Sequence, residues 1–424
     1  MRHHLAKLAA AFLLLQGSSA MATEQWLGAW GYSPAPVPAS AKAMPVTHPV
    51  TVTPPSPFLI ENPGGLPVVT NPSADPANVT LRQLVRVSIA GKRIRLHFSN
   101  EDGDEALTLG AVHVGLAGPD GTVIAGTERM VTFGGRREIS IPSSAPYDSD
   151  PVDLPVGALD RLAISIFLPT AVPRDGHASY QYVSGMPGDQ TIAATLPSPS
   201  LVRLRALVSR VDVAPLTARG AIVTLGDSIT EGAHSTINAF RSWPDRLAER
   251  LAAGGQWSVV NAGIGGNRLV RNVTGPNALA RFDRDVLATP GVRIVVLMEG
   301  INDIGRTFTP EAAQEPATLQ DLEGAANQIV ARAHDHGIKV YGATLTPYRG
   351  AHYFAEAGGS MRQAFNDWIR SSGAFDGVID FDAALRSKNE PDRLDPAYDS
   401  NDHLHMNDRG YAALGDAVPL ALLK

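Results

Sequence analysis

The hydrophobic pattern changes character about halfway along the chain. In the first half apolar and polar residues alternate. Val85, Val87 and Ile89 form one such run. Ile94, Leu96 and Phe98 form the next, with Arg93, Arg95 and His97 between them. A period of two puts one row of side chains on a buried face. The short "AGK" turn between these runs predicts a β-hairpin. Ile139 and Ile141, then Leu162, Ile164, Ile166 and Leu168, repeat the alternation, with Gly, Pro and Asp clustered in the connections. No long helical pattern appears before residue 215. Residues 24–205 therefore predict an all-β, sandwich-like domain.

From residue 221 short apolar runs alternate with helical spacing. "AIVTL" (221–225), "WSVVNAG" (257–263), "RIVVLMEG" (293–300), "KVYGATL" (339–345) and "GVIDF" (377–381) read as strands. Helical stretches fall at 242–253, near 277–288, over 311–336, near 360–372 and from about Asp408, which is expected to cap the last helix. That helix presents Tyr411, Leu414 and Val418 on its apolar face. Continuous apolar strands between amphipathic helices predict an α/β domain over 221–424, with a parallel sheet covered on both faces. Residues 209–220 read as the linker between the two domains.

Composition adds limits. At 424 residues, two domains are expected. Residues 33–77 are rich in Pro, Ser and Thr and read as an extended surface segment. The net charge of -6 argues against nucleic acid as the main partner, because phosphate binding needs a basic face. The absence of cysteine removes disulfides, thiolate nucleophiles and Cys-ligated metals. Arg2 and Lys7, the apolar run Leu8–Leu15 and the small residues Ala20-Met21-Ala22 predict a signal peptide over 1–22. The mature chain is then secreted or periplasmic, starting near Thr23. No later segment is apolar enough to anchor it in a membrane.

Polar residues collect after the strands, where doubly wound sheets bind ligands. Gly226-Asp227-Ser228 follows the first, Asn261-Ala262-Gly263-Ile264-Gly265-Gly266-Asn267 the second, and Gly300-Ile301-Asn302-Asp303 the third. The stretch "DSNDHLHMNDRGYAAL" (399–414) adds two histidines and several aspartates. Ser228 on a strand-to-helix turn is either a helix cap or an exposed nucleophile whose own N–H faces a developing oxyanion. Gly265-Gly266 is either a tight turn or a close backbone approach to substrate. Asn302 is either an Asx turn or an amide donor. "GDSIT" lacks the second glycine of the G-x-S-x-G elbow, so an ordinary α/β-hydrolase is not indicated.

Taken together, Gly-Asp-Ser, Gly-Gly-Asn, Gly-Ile-Asn-Asp and Asp-His-Leu-His resemble the four blocks of the SGNH (GDSL-type) hydrolase family, in the family's order. The resemblance covers residues 222 to about 420 and implies a flavodoxin-like parallel sheet. It implies Ser228 as nucleophile, Asp402 and His405 as acid and base, and an oxyanion hole of Ser228, Gly266 and Asn302, with Gly265 as a neighbouring candidate. No cofactor or metal is implied. Residues three apart on a turn can face one another, which favours Asp402 with His405 and leaves His403 on the rim and Asp399 in the loop. "TLRQLVRVSIAGKRIRLHFSN" and "VTFGG" resemble the N-terminal region of secreted bacterial esterases, including acetylxylan-esterase-like ones. A small-molecule or polysaccharide ester is therefore the expected substrate. Trp26, Trp30 and Tyr32 are either a sugar-stacking platform or packing aromatics.

The expected reaction is hydrolysis of short-chain esters through an acyl-enzyme. An acyltransferase with a sugar or alcohol acceptor shares the same blocks. Two rival readings come from different chemistry: a non-catalytic carbohydrate-binding protein, and a metal hydrolase using His403, His405, His334 or His336.

Overall fold

The computed structural model describes residues 24–35, 68–69, 77–171, 182–196, 200–203, 207–272, 274–309 and 316–423. The expected signal peptide and most of the Pro-rich segment lie outside the described residues.

Among the described residues the N-terminal part holds a two-stranded sheet, Leu107–Leu109 with Ile139–Ile141, and two large, mainly antiparallel ones. One has four strands in the order Leu27–Gly31, Val208–Ala214, Arg93–Asn100, Ala145–Asp148. The other has seven, with Val79–Arg86 between Tyr182–Pro187 and Arg161–Leu168. Inward residues of both sheets, among them Leu96, Phe98 and Val211 from one and Leu81, Val85 and Ile164 from the other, share one hydrophobic core. The predicted alternation is therefore present, and it faces a sandwich interior.

The predicted hairpin is not. Val79–Arg86 pairs with Arg161–Leu168 and Tyr182–Pro187, whereas Arg93–Asn100 pairs with Val208–Ala214 and Ala145–Asp148. The connecting residues donate elsewhere: Ser88 N–H to Ala29 O at 2.8 Å and Gly91 N–H to Val156 O at 3.0 Å. The two runs form an arch between sheets. Alternation dictates which face is buried but not which strand satisfies the edge, so two runs facing one core from opposite sides read like a hairpin.

The expected linker is likewise mostly strand. Val208–Ala214 is fully buried in the four-stranded sheet, and only residues 215–219 connect it to the next strand. Its buried Asp212 is held by Arg95 at 2.7 Å and by Arg210 at 2.7 Å. Trp30 and Tyr32 are buried, and Trp26 lies under the Arg95 guanidinium, so all three are packing aromatics.

The C-terminal part is a parallel sheet in the order Trp257–Gly263, Gly220–Gly226, Val292–Met298, Lys339–Ala343, Gly377–Ile379. That is the flavodoxin-like 2-1-3-4-5 order. Flanking helices include Trp243–Ala252, Ile301–Thr307, Leu319–Asp335, Glu356–Ser371 and Asp408–Ala417. The first of these starts at a capping box: Ser242 accepts from Asp245 N–H, and the Asp245 carboxylate reaches back to Ser242. Such a cap is worth about 1 kcal/mol. Among the described residues no helix is long and apolar enough to cross a membrane.

The sheet's edge strand Trp257–Gly263 is covered by the N-terminal part. The Ser88 hydroxyl donates to Ala29 O at 2.6 Å and accepts from Val259 N–H at 2.8 Å. Arg86 reaches Glu249 at 2.9 Å and Asp245 O at 3.2 Å. Such cover prevents the unpaired edge from recruiting another strand.

Gly263 ends the edge strand where a Cβ would overlap the backbone N of Glu231. The strand end therefore packs directly on the helix that begins at Ser228. Gly263→Ala should cost about 1–3 kcal/mol by overpacking. Thermal unfolding checks this, with a Tm several degrees lower as the expected result.

Candidate active site

Ser228 is the first residue of a short helix, Ser228–Glu231, entered directly from the strand Gly220–Gly226. Asp227 caps that helix, its carboxylate accepting from Ile229 N–H at 2.8 Å. The cap role considered for Ser228 thus falls to its neighbour. The Ser228 hydroxyl lies 2.8 Å from His405 Nε2. His405 Nδ1 lies 2.6 Å from Asp402 Oδ2. An ionised carboxylate can only accept, so the proton sits on Nδ1 and Nε2 is free to accept the hydroxyl proton.

The other oxygen, Asp402 Oδ1, shapes the turn. It accepts from Leu404 N–H at 3.0 Å, His405 N–H at 2.8 Å and the Ser400 hydroxyl at 3.1 Å. Partial burial pushes the Asp402 carboxyl up, but the His405 hydrogen bond and charge, with those N–H groups, outweigh it. The net result lies far below the usual carboxylate range, so Asp402 stays ionised.

Asn302 sits in the first turn of Ile301–Thr307, after Gly300 at φ 125°. Its amide donates to Asn267 O at 2.9 Å, and its Oδ1 accepts from the Tyr353 hydroxyl at 3.2 Å. Gly266 precedes Asn267 in a turn closed by Asn267 N–H on Ile264 O at 3.0 Å, with Gly266 at φ 73°. That left-handed backbone favours glycine. Ile264 N–H in turn donates to Gly226 O at 3.0 Å. The three strand ends are thus linked by hydrogen bonds, with Ser228, Gly266 and Asn302 just after three neighbouring strands of the sheet. Gly265 lies in the same turn.

Behind this lies a buried charge cluster that the sequence did not disclose. The side chain of Arg281 is fully buried. It donates to Gly226 O at 2.9 Å, Ala262 O at 2.7 Å, Asn267 Oδ1 at 2.9 Å and Asp285 at 2.6 Å. One guanidinium therefore braces two strand ends and the Gly266 turn. In "ALARFDRD" it reads as a surface helix residue. Asp303, visible beside Asn302, accepts from Leu269 N–H at 2.6 Å and Val270 N–H at 3.1 Å. Burial pushes its carboxyl up to about 6. Burial also raises Asp227, and raises Glu299 well above the ordinary range.

His403 is half exposed and has its own partner, the largely buried carboxylate of Asp399, at 2.6 Å. Asp399 is thus more than a loop residue. Asp408 does not cap the last helix: Asn407 does, accepting from Gly410 N–H at 3.0 Å. Asp408 instead accepts from Thr236 N–H at 2.9 Å and Thr236 Oγ1 at 2.7 Å. Because it already sits inside the helix, its carboxylate is free to reach across. Tyr411, Leu414 and Val418 are buried as expected.

The histidines considered for a metal are not brought together, since His334 pairs with Asp376 and His336 with Arg332 O. Sequence reasoning also missed His234. Its ring stacks on His405, and with Asp402 and His405 it forms the one described group close enough to share an ion. The rings are nearly parallel at 4.8 Å, so an ion in the plane of one lies out of the plane of the other.

Residues 224–413 match the model of the GDSL-like Lipase/Acylhydrolase family. Solved structures similar in part include a GDSL-like lipase from Bacteroides thetaiotaomicron, 19% identical, covering 48% of this chain and 88% of that one, with a TM-score of 0.36. A catalytic mutant of an acetylxylan esterase from Geobacillus stearothermophilus is 21% identical, covering 49% and 95%, with a TM-score of 0.38. The acetyl xylan esterase AlAXEase is 23% identical, covering 46% and 96%, with a TM-score of 0.36. No curated protein matches the chain. The family model and the parallel sheet whose strand ends carry its blocks agree: residues 224–413 are a GDSL-like lipase/acylhydrolase domain.

Proposed function

We propose that the chain is an exported serine esterase that removes short acyl groups, acetyl above all, from carbohydrate esters. The observation that carries the reading is the chain of contacts from Ser228 Oγ through His405 to Asp402. His405 Nε2 takes the hydroxyl proton as Ser228 attacks the ester carbonyl. Asp402 holds the Nδ1–H tautomer and stabilises the imidazolium. The Ser228 and Gly266 N–H groups and the second amide hydrogen of Asn302 receive the oxyanion. His405 then protonates the departing alcohol, and water, activated by the same imidazole, releases the acid. Every residue this needs is present, and no step calls on a metal or cofactor.

Tyr353 serves the oxyanion side. It fixes the Asn302 amide through Oδ1 and polarises it, which strengthens the remaining N–H as a donor. The carbohydrate part of the proposal rests on the resemblance of the N-terminal region to secreted esterases. Export rests on the stretch from Arg2 to Ala22. An acyltransferase would use the same residues, and acyl transfer to added sugar in place of hydrolysis would identify it.

Four outcomes are expected with p-nitrophenyl acetate and acetylated xylan. Ser228→Ala should lose roughly 10⁴–10⁶ in kcat with its unfolding midpoint kept; near-normal turnover would remove the serine mechanism. His405→Ala should be comparably damaging and His403→Ala nearly silent, and the reverse order would move the base to His403. Asn302→Ala should lower kcat by about 10²–10³, with Tyr353→Phe lowering it in the same direction by less; an effect on KM alone would make Asn302 a substrate contact. On acidification kcat/KM should fall, because a protonated base cannot accept the serine hydroxyl proton, while Asp402 keeps its charge.

A further inference from the structure

The loop after the Ser228 helix brings a second imidazole to the site. His234 stacks on His405 with ring centroids 4.8 Å apart and an interplanar angle of 13°. Its Nε2 lies 3.6 Å from Asp402 Oδ2, beyond hydrogen-bonding range. Its link to the His405–Asp402 pair is therefore ring contact and charge attraction. The backbone of His234 is left-handed, φ 67°, a conformation that needs outside support in a residue with a Cβ.

That support is visible on both sides. Ala233 O accepts from the Tyr411 hydroxyl at 2.5 Å. Thr236 is held through N–H and Oγ1 by Asp408. Tyr411 and Asp408 belong to the helix that follows the His405 turn, so one element anchors both imidazoles. The Asp402 carboxylate and the Ser228 hydroxyl contact opposite edges of the His405 ring, which leaves tilting about the line between them as its remaining freedom. A flat group against its face removes that freedom. The stacked ring must remain neutral so as not to oppose the imidazolium formed during attack. Burial and the neighbouring His405 charge both lower the His234 pKa, against the pull of Asp402 and Asp399.

We infer that His234 is a positioning residue: its ring, carried on a loop that Tyr411 and Asp408 anchor at Ala233 and Thr236, sets the plane of the His405 imidazole so that Nε2 meets Ser228 Oγ. The inference rests on the hydrolytic reading of the site.

The test is steady-state hydrolysis of p-nitrophenyl acetate by the full chain. His234→Asn keeps a residue that accepts the left-handed backbone but removes the stacked ring. It should lower kcat about tenfold with KM within about twofold, the mark of a misaligned base rather than a lost binding contact. His234→Phe restores a flat face without ring nitrogens and should recover most of that loss. The downfield proton of the His405–Asp402 hydrogen bond should broaden in the first variant and sharpen in the second. If His234→Asn does not fold, His234→Gly replaces it, since glycine also accepts this backbone. Wild-type kcat without the ring, a change in KM alone, or no recovery with Phe would each overturn the inference. Ser228→Ala in the same assay separates the two failures. A wild-type chain no faster than Ser228→Ala defeats the hydrolytic reading, whereas an active wild type matched by His234→Asn defeats only the role of His234.

Discussion

The site depends on how one carboxylate divides its two oxygens. Asp402 Oδ1 gathers two backbone N–H groups and a serine hydroxyl, and so folds the turn. Oδ2 takes the imidazole N–H, and so sets the tautomer and aims Nε2 outward. Charge-assisted bonds of this kind are the strong ones, and here they are all local. The turn that shapes the base is therefore the same structure that holds its acid. Replacing Asp402 would remove both at once.

Ser228 must reach that base from 177 residues away. The parallel sheet accomplishes this by placing three strand ends side by side, and buried polar contacts lock them there. Arg281 is the centre of the lock. A buried guanidinium costs several kcal/mol unless its donors are met, and here they are met by strand-end carbonyls, Asn267 and Asp285. Any shift of the Gly266 turn would leave a buried charge short of partners. The Gly266 turn is thus held rigid by a buried ion pair and its carbonyl partners, which suits a site that must be organised before charge develops.

The N-terminal sheets act on the same scaffold. They cover the edge strand through Ser88 and grip the Trp243–Ala252 helix through Arg86. The loop that carries His234 ends at Phe240, whose ring lies beneath Arg86 and Arg161. Support for the catalytic face therefore comes from both halves of the molecule.

Much of this was legible in the chain. The switch from period two to alternating strands and helices separated the β-rich region from the parallel sheet, because burial of a face imposes its period on the sequence. Ser228, Asn302, Asp402 and His405 stood out because each lies in a short stretch whose residue types are set by local geometry: a strand-end turn, a helix start, a three-residue spacing. What stayed hidden was set by contacts between distant segments. The arch read as a hairpin because alternation does not say which strand meets an edge. Residues 209–220 read as a linker, but most of them form a strand in which Asp212 pairs with Arg95 on another strand and Arg210 on its own, which only folding shows. Arg281 and His234 gave little local signal; one is defined by two strand-end carbonyls and the Asn267 side chain that folding brings around it, and the other by a ring 171 positions further along the chain. The sequence by itself determined most of the elements and, through its resemblance to a family, the candidate reacting groups, since those follow from short stretches of a few residues. Only the tertiary structure decided strand partners and the residues that hold the reacting groups in line, since those depend on which distant surfaces meet.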